Sequence, residues 1–89
     1  MESSAAFKVK GGKLIKVKLI KENDLILSVQ IFGDFFIHPE ESLELLEGSL
    51  RNVTLEEAIK KIYEFFKGVE LVGATPDDFV NTIRLAYYK

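Results

Sequence analysis

In the segment KLIKVKLIK, residues 13–21, Lys16 and Lys18 alternate with Ile15, Val17 and Leu19. A repeat of two is the period of a strand with one dry face, and it places no continuous stripe on a helix. It constrains the fold more than any other feature of the chain. The flanking segments share it. In AAFKVK, Phe7 and Val9 fall on one side and Lys8 and Lys10 on the other. In LILSVQIF, Leu25, Leu27, Val29 and Ile31 form an apolar side alternating with Ser28 and Gln30. Gly11-Gly12 supplies a two-residue turn, because glycine tolerates the positive φ of a primed hairpin. Glu22-Asn23-Asp24 supplies the second turn, since Asn and Asp accept turn geometry readily. Residues 5–32 are therefore expected to form a three-stranded antiparallel meander, with the first four residues frayed.

The period becomes helical at Pro39. Proline suits the first helical position, and Glu40 and Glu41 suit the positive end of a helix dipole. Leu43, Leu46 and Leu50 then fall on one stripe, and Gly48 ends or bends this short helix. Thr54-Leu55-Glu56-Glu57 reads as a capping box, with Leu55, Ala58, Ile59, Ile62 and Phe66 at helical spacing behind it and Lys67-Gly68 at its end. Residues 69–74 read as a connector. Thr75-Pro76-Asp77-Asp78 opens a third helix, whose buried side is Phe79, Ile83, Ala86 and Tyr87. Strands followed by helices specify an α+β domain over residues 1–89, with sheet at 5–32, a loop at 33–38 and helices within 39–88. All three helices are expected on the dry face of the sheet.

Length and composition set the outer limits. A chain of 89 residues is one small domain. With no cysteine there is no disulfide, zinc ribbon, iron–sulfur centre or thiol catalysis. MESSAAF lacks the basic start and long apolar run of a signal peptide, and Leu25 to Gly33 is too short to span a membrane. A cytoplasmic location is expected. Net charge is −2 but segregated: residues 1–21 hold six lysines against Glu2, and the remainder holds six basic and thirteen acidic residues. Such asymmetry either orients an anionic partner or simply solubilises the molecule.

Chemistry-bearing patterns are sparse. His38 is the lone histidine, and Glu40, Glu41, Glu44 and Glu47 read as a solvated helix face, so no metal site is expected. His38 before Pro39 reads as a helix-entry residue rather than a base. Gly11-Gly12-Lys13 lacks the Walker spacing, although Lys13 can still meet a phosphate as an exposed cation. The lysine face resembles a nucleic-acid platform, but Phe7 lies on the opposite side from Lys8 and Lys10, and the sequence pI is about 5.4. Ser3, Ser4, Ser28, Ser42 and Ser49 have no visible base partner. No catalytic residue is expected in this chain.

Gly33-Asp34-Phe35-Phe36 departs from these patterns, placing an aspartate inside the most hydrophobic segment. In one reading Gly33 stops the strand, Asp34 bonds neighbouring N–H groups, and Phe35 or Phe36 plugs the core. In the other, at least one phenylalanine is exposed as a contact surface.

Three motifs together carry a resemblance: Gly11-Gly12-Lys13, the GDFF element at Gly33 to Phe36 with Pro39 following, and G-x-T-P-D-D-F at Gly73 to Phe79. In this order and spacing the sequence, over about residues 6–88, resembles the C-terminal or accessory domain of lipoate–protein ligase. The resemblance implies a small α+β unit that accompanies a catalytic domain. The arginine-and-glycine-rich lipoate-binding segment and the substrate lysine of that catalytic domain are missing here. The implied role is therefore that of an accessory subunit in a two-component ligase. The pair would activate lipoate with ATP to lipoyl-AMP and lipoylate acceptor domains. The implied partner is a catalytic subunit in a heterodimer, with lipoyl domains as indirect partners. ATP, Mg and lipoate belong to the complex, not to this chain. Gly33, Asp34, Phe35, Phe36, His38 and Lys13 are the residues expected to face the partner or its active site. The alternative is a non-enzymatic module binding another protein or nucleic acid. A scaffold of the iron–sulfur assembly type has a similar outline, but the lack of cysteine argues against it.

Overall fold

The computed structural model describes residues 1–9, 11 and 13–89. Alternation along Leu14–Glu22 (β2) is realised as expected: Ile15, Val17 and Leu19 are fully buried, and Lys16 and Lys18 are exposed. Glu2–Lys8 (β1) and Leu25–Gly33 (β3) flank β2 antiparallel, and the turn at Asn23-Asp24 has Asn23 at φ 56°. The two-residue turn expected at Gly11-Gly12, and the outward side expected for Lys10, fall partly or wholly outside the described residues. Gly11 itself has a φ of 98°, and the Val9 N–H donates to the Lys13 carbonyl at 2.7 Å.

Three expectations about the sheet are corrected. First, the N-terminal residues are not frayed. Strand β1 begins at Glu2, pairs with β2 from Ile20 onward, and is tied to the last helix by the Ser3 hydroxyl, which donates to the Ala86 carbonyl at 2.7 Å. Second, the inward set of β3 is not wholly the odd-numbered one. The register shifts between Ile20 and Lys21, which face Ser28 and Ile26, so Leu27 is an extra residue. A bulge of one residue reverses which side chains face the core. Ile26, Val29 and Ile31 are buried, Leu27 is half-buried and Leu25 is exposed. Third, Val53–Thr54 (β5) pairs with Leu25 and Ile26, giving a four-stranded sheet in the order β1-β2-β3-β5.

The expected loop at 33–38 and connector at 69–74 each contain a strand. Phe36–His38 (β4) and Glu70–Val72 (β6) pair antiparallel as a second, two-stranded sheet. Pro39 follows a cis peptide bond and does not open the first helix, which is Ser42–Ser49 (α1). Leu46 and Leu50 are buried and Leu43 half-buried, as the stripe requires. Glu47 is not merely solvated, because its carboxylate accepts the Ile31 N–H at 2.7 Å and so covers the outer edge of β3 beyond β5.

The capping signals at Thr54 and Thr75 are realised. Helix Leu55–Phe66 (α2) begins with Thr54 and Glu57 each accepting the other's backbone N–H, at 3.1 and 2.9 Å. Those bonds, from the Thr54 backbone first and its side chain second, hold the Glu57 carboxyl below its usual range. A lowered folded pKa stabilises above the unfolded value, and that contribution disappears as pH falls through the folded one. Helix Pro76–Tyr87 (α3) carries the matching box between Thr75 and Asp78, with Pro76 in its first turn. Ala58, Ile62, Phe79, Val80, Ile83 and Ala86 from α2 and α3 meet the inner residues of the sheet in one core. The helices thus cover one face and leave the lysine face open. Among the described residues, no helix is long and apolar enough to cross a membrane.

Candidate functional site

Three distant segments converge at one end of the sheet. They are Lys13 just before β2, the turn from Gly33 to Phe36 after β3, and Gly73 just before α3. Gly33 is needed for close approach. A β-carbon there would lie 2.5 Å from the Leu14 carbonyl oxygen and 2.6 Å from the Phe35 ring. Asp34 occupies the next rung. Its N–H donates to the Leu14 carbonyl at 3.3 Å, and its Oδ1 accepts the Leu14 N–H at 2.7 Å. The carboxylate thus takes the place of a strand carbonyl where the ladder stops. That accounts for a polar residue in an apolar run.

Gly73 adopts a φ of 93°, in the left-handed region that favours glycine. The position its β-carbon would take lies 3.6 Å from both Lys13 Cγ and Phe35 Cα. The Lys13 stem therefore lies over Gly73, and its Nζ sits 5.9 Å from the Phe36 ring centre, at the outer limit of a cation–π contact. Replacing Gly33 by alanine is expected to cost about 1–3 kcal/mol, because a backbone oxygen and a ring must both yield. An unchanged urea midpoint for that variant would show that the corner gives way freely.

The two phenylalanines part company. Phe35 turns inward and meets Phe79 edge-on, with ring centres 4.9 Å apart, and Phe79 in turn lies 5.0 Å from Phe66. Phe36 sits on β4 opposite Val72 and is 67% exposed, while Ile37 next to it is buried. Alternation places His38 on the same outward side as Phe36, opposite Glu70. Of the six residues expected at the site, Lys13, Gly33, Asp34, Phe35 and Phe36 come together, and His38 stands two positions further along the same strand.

Sequence reasoning missed Phe32 and Val72, which are 50% and 52% exposed and extend the apolar surface around Phe36. Phe32 was legible, because it alternates with Gln30 and Ser28 and faces Lys16 across β2. Val72 carried no signal, since its strand is only three residues long. Among the described residues, no three His, Asp or Glu side chains gather as a metal-binding group. The Asp34 carboxylate is committed to holding Leu14. The arrangement is suited to binding a partner through aromatic and aliphatic surface beside a lysine.

The chain is similar to known proteins in both sequence and fold. A family model for the bacterial lipoate protein ligase C-terminus matches residues 2–83. Lipoate-protein ligase A subunit 2 of Thermoplasma acidophilum is 37% identical over 86 residues, covering 96% of this chain and 90% of the relative. A solved structure of an archaeal lipoylation system from the same organism describes a bi-partite lipoate protein ligase and its E2 lipoyl domain. One chain of it superposes with a TM-score of 0.87 at 36% identity, covering 94% of this chain and 96% of that one. The match of the family model over residues 2–83 and the likeness to these relatives in sequence and fold place the chain in the lipoate–protein ligase C-terminal domain family.

Proposed function

We propose that this chain is the accessory subunit of a two-component lipoate–protein ligase. The observation that carries this reading is its near end-to-end match to the second subunit of such a ligase. The catalytic subunit would be a separate protein, and the pair would work in the cytoplasm. The reaction is adenylation. A lipoate carboxylate oxygen attacks the α-phosphorus of ATP, pyrophosphate leaves, and lipoyl-AMP forms. The ε-amine of a lysine on an acceptor lipoyl domain then attacks the acyl carbon of lipoyl-AMP, forming an amide and losing a proton as AMP leaves. ATP, Mg and lipoate would be held by the catalytic subunit.

This chain's share is positional. The barrier to an in-line displacement falls when the reactants are fixed and water is excluded. A rigid domain docked over the site can do both without supplying a nucleophile. The corner is built for this. Gly33, Asp34 and Phe35 lock the turn to β2 and to the core, and Phe36 projects from it toward the partner. Lys13 and His38 would border that contact.

The chain alone is expected to form no lipoyl-AMP from lipoate and ATP. Adding the catalytic subunit should switch adenylation on, measured by pyrophosphate release and by mass detection of lipoyl-AMP. Turnover without a partner would overturn the two-subunit reading. So would a catalytic subunit equally active with and without this chain. The other reading is a non-enzymatic binding module, with the apolar corner and the lysine face meeting some unrelated protein or a nucleic acid. A pull-down that recovers those, and no ligase, would favour it.

A further inference from the structure

We infer that β1 pairs with β1 of a second copy of this chain, joining two sheets into one. This goes beyond the ligase reading and uses none of the corner residues. β1 is an end strand of its sheet. Met1 and Lys21 exchange backbone hydrogen bonds at 2.7 and 2.8 Å, and Val9 donates to Lys13. Odd-numbered residues of the strand therefore bond toward β2. In an antiparallel ladder the alternate residues then direct their N–H and C=O groups the other way. Those residues are Glu2, Ser4, Ala6 and Lys8. The Lys89 ammonium, bound to the Ser4 carbonyl at 2.7 Å, reports that outward direction.

The segment ESSAAFK is self-complementary about Ala5. A two-fold axis there sets Glu2 against Lys8 of the other copy, and Ser4 against Ala6. Both pairings join residues whose backbone groups face outward, so both are hydrogen-bonded pairs. The two charge pairs fall at opposite ends of the strand. Glu2 already stands 3.5 Å from Lys18 on the same face, with both half exposed, and the second copy's lysine would complete a cation–anion–cation row. Of the residues between the charges, Ser3, Ser4, Ala5 and Ala6 are small, and the one large side chain, Phe7, falls opposite Ser3 of the other copy.

A second observation supports the same occupant. The groove beside this edge is lined by Ala5, Phe7, Arg84, Leu85 and Tyr88, and it is mainly apolar. Leu85 on the flank of α3 and Tyr88 just past its end are 48% and 74% exposed. Helix α3 packs on both β1 and β2. With strands about 4.8 Å apart, a helix over their midline stands about 5 Å from the proposed axis. Its two-fold mate is then about 10 Å away, which is helix-packing distance, and Leu85 and Tyr88 would fill the seam. Pairing must displace Lys89 from the Ser4 carbonyl. The Ala6 N–H of the other copy takes its place. Self-association is therefore reversible and concentration-dependent.

Sedimentation equilibrium of the isolated chain, from about 1 μM to about 1 mM, should show a monomer–dimer equilibrium. Glu2→Lys or Lys8→Glu alone should weaken it about tenfold, because like charges then face each other at both ends. An equimolar mixture of these two variants restores opposite charges across both ends and should recover the wild-type affinity. Ala6→Pro removes an outward N–H and should abolish the dimer, while circular dichroism reports the fold intact. A chain that stays monomeric over the whole range overturns the inference. So does a dimer indifferent to the charge reversals.

Discussion

Replacing Phe79 by alanine is expected to lower the unfolding free energy by about 3–5 kcal/mol. Phe79 is wholly buried and ranks among the largest such side chains. It lies between Phe35 at 4.9 Å and Phe66 at 5.0 Å, so one truncation removes two aromatic contacts along with the buried area. The void would open where α2, α3 and the corner meet, and these elements are held by caps that resist sliding to fill it. Domains of this kind have about 5–15 kcal/mol in total, so a large fraction of the stability is at stake. The corresponding fall in Tm is roughly 15–30 °C. Thermal unfolding followed by circular dichroism measures it. A loss under about 5 °C would mean that the site collapses and Phe79 is no keystone. Phe35→Ala, at a half-buried position in the same cluster, should cost roughly half as much.

The parts of this fold that could be read in advance are those where one local rule suffices. Ile15, Val17 and Leu19 are legible because β2 is the central strand of the meander and alternates against lysines. Thr54 with Glu57, and Thr75 with Asp78, are legible because a capping box is complete within four residues. Phe79, Ile83, Ala86 and Tyr87 follow from the helical period. The remainder depends on partners far along the chain. ESSAA has little strand propensity and is held by β2 and by the Ala86 carbonyl. The bulge at Leu27 leaves no mark in Leu25-Ile26-Leu27, where every residue is apolar and either register looks dry. β4 and β6 lie more than thirty residues apart, and each is too short for a period to register.

The candidate site divides in the same way. Gly33 and Asp34 announced a turn, but their common partner, Leu14, could come only from the folded sheet. The segregated lysines find their place as well. Lys8, Lys16 and Lys18 stand on the sheet face that no helix covers, alongside the exposed Phe32. Composition left open whether they steer a partner or solubilise the chain. Their position beside an apolar corner is where a steering charge would be useful.

Phe36→Ala is the variant that separates docking from folding. The side chain is mostly in solvent, so its removal should shift Tm by no more than about 2 °C. Aromatic anchors at protein interfaces commonly contribute 2 kcal/mol or more, which corresponds to about 30-fold in affinity. With Phe36 as such an anchor, lipoyl-AMP formation by the reconstituted pair should fall about 15-fold at subunit concentrations near the wild-type Kd, where the wild type is half bound and the variant about 3% bound. Excess accessory subunit should then restore it, because the defect lies in association. Phe35→Ala should behave in the opposite way: a clear loss of stability, with activity recovered once temperature is lowered enough to keep the domain folded. Phe36→Asp sharpens the contrast by placing a charge at the centre of the proposed contact. A pair carrying Phe36→Asp that assembles and adenylates like the wild type would remove the corner from the interface. The partner would then have to be met by another surface of the domain.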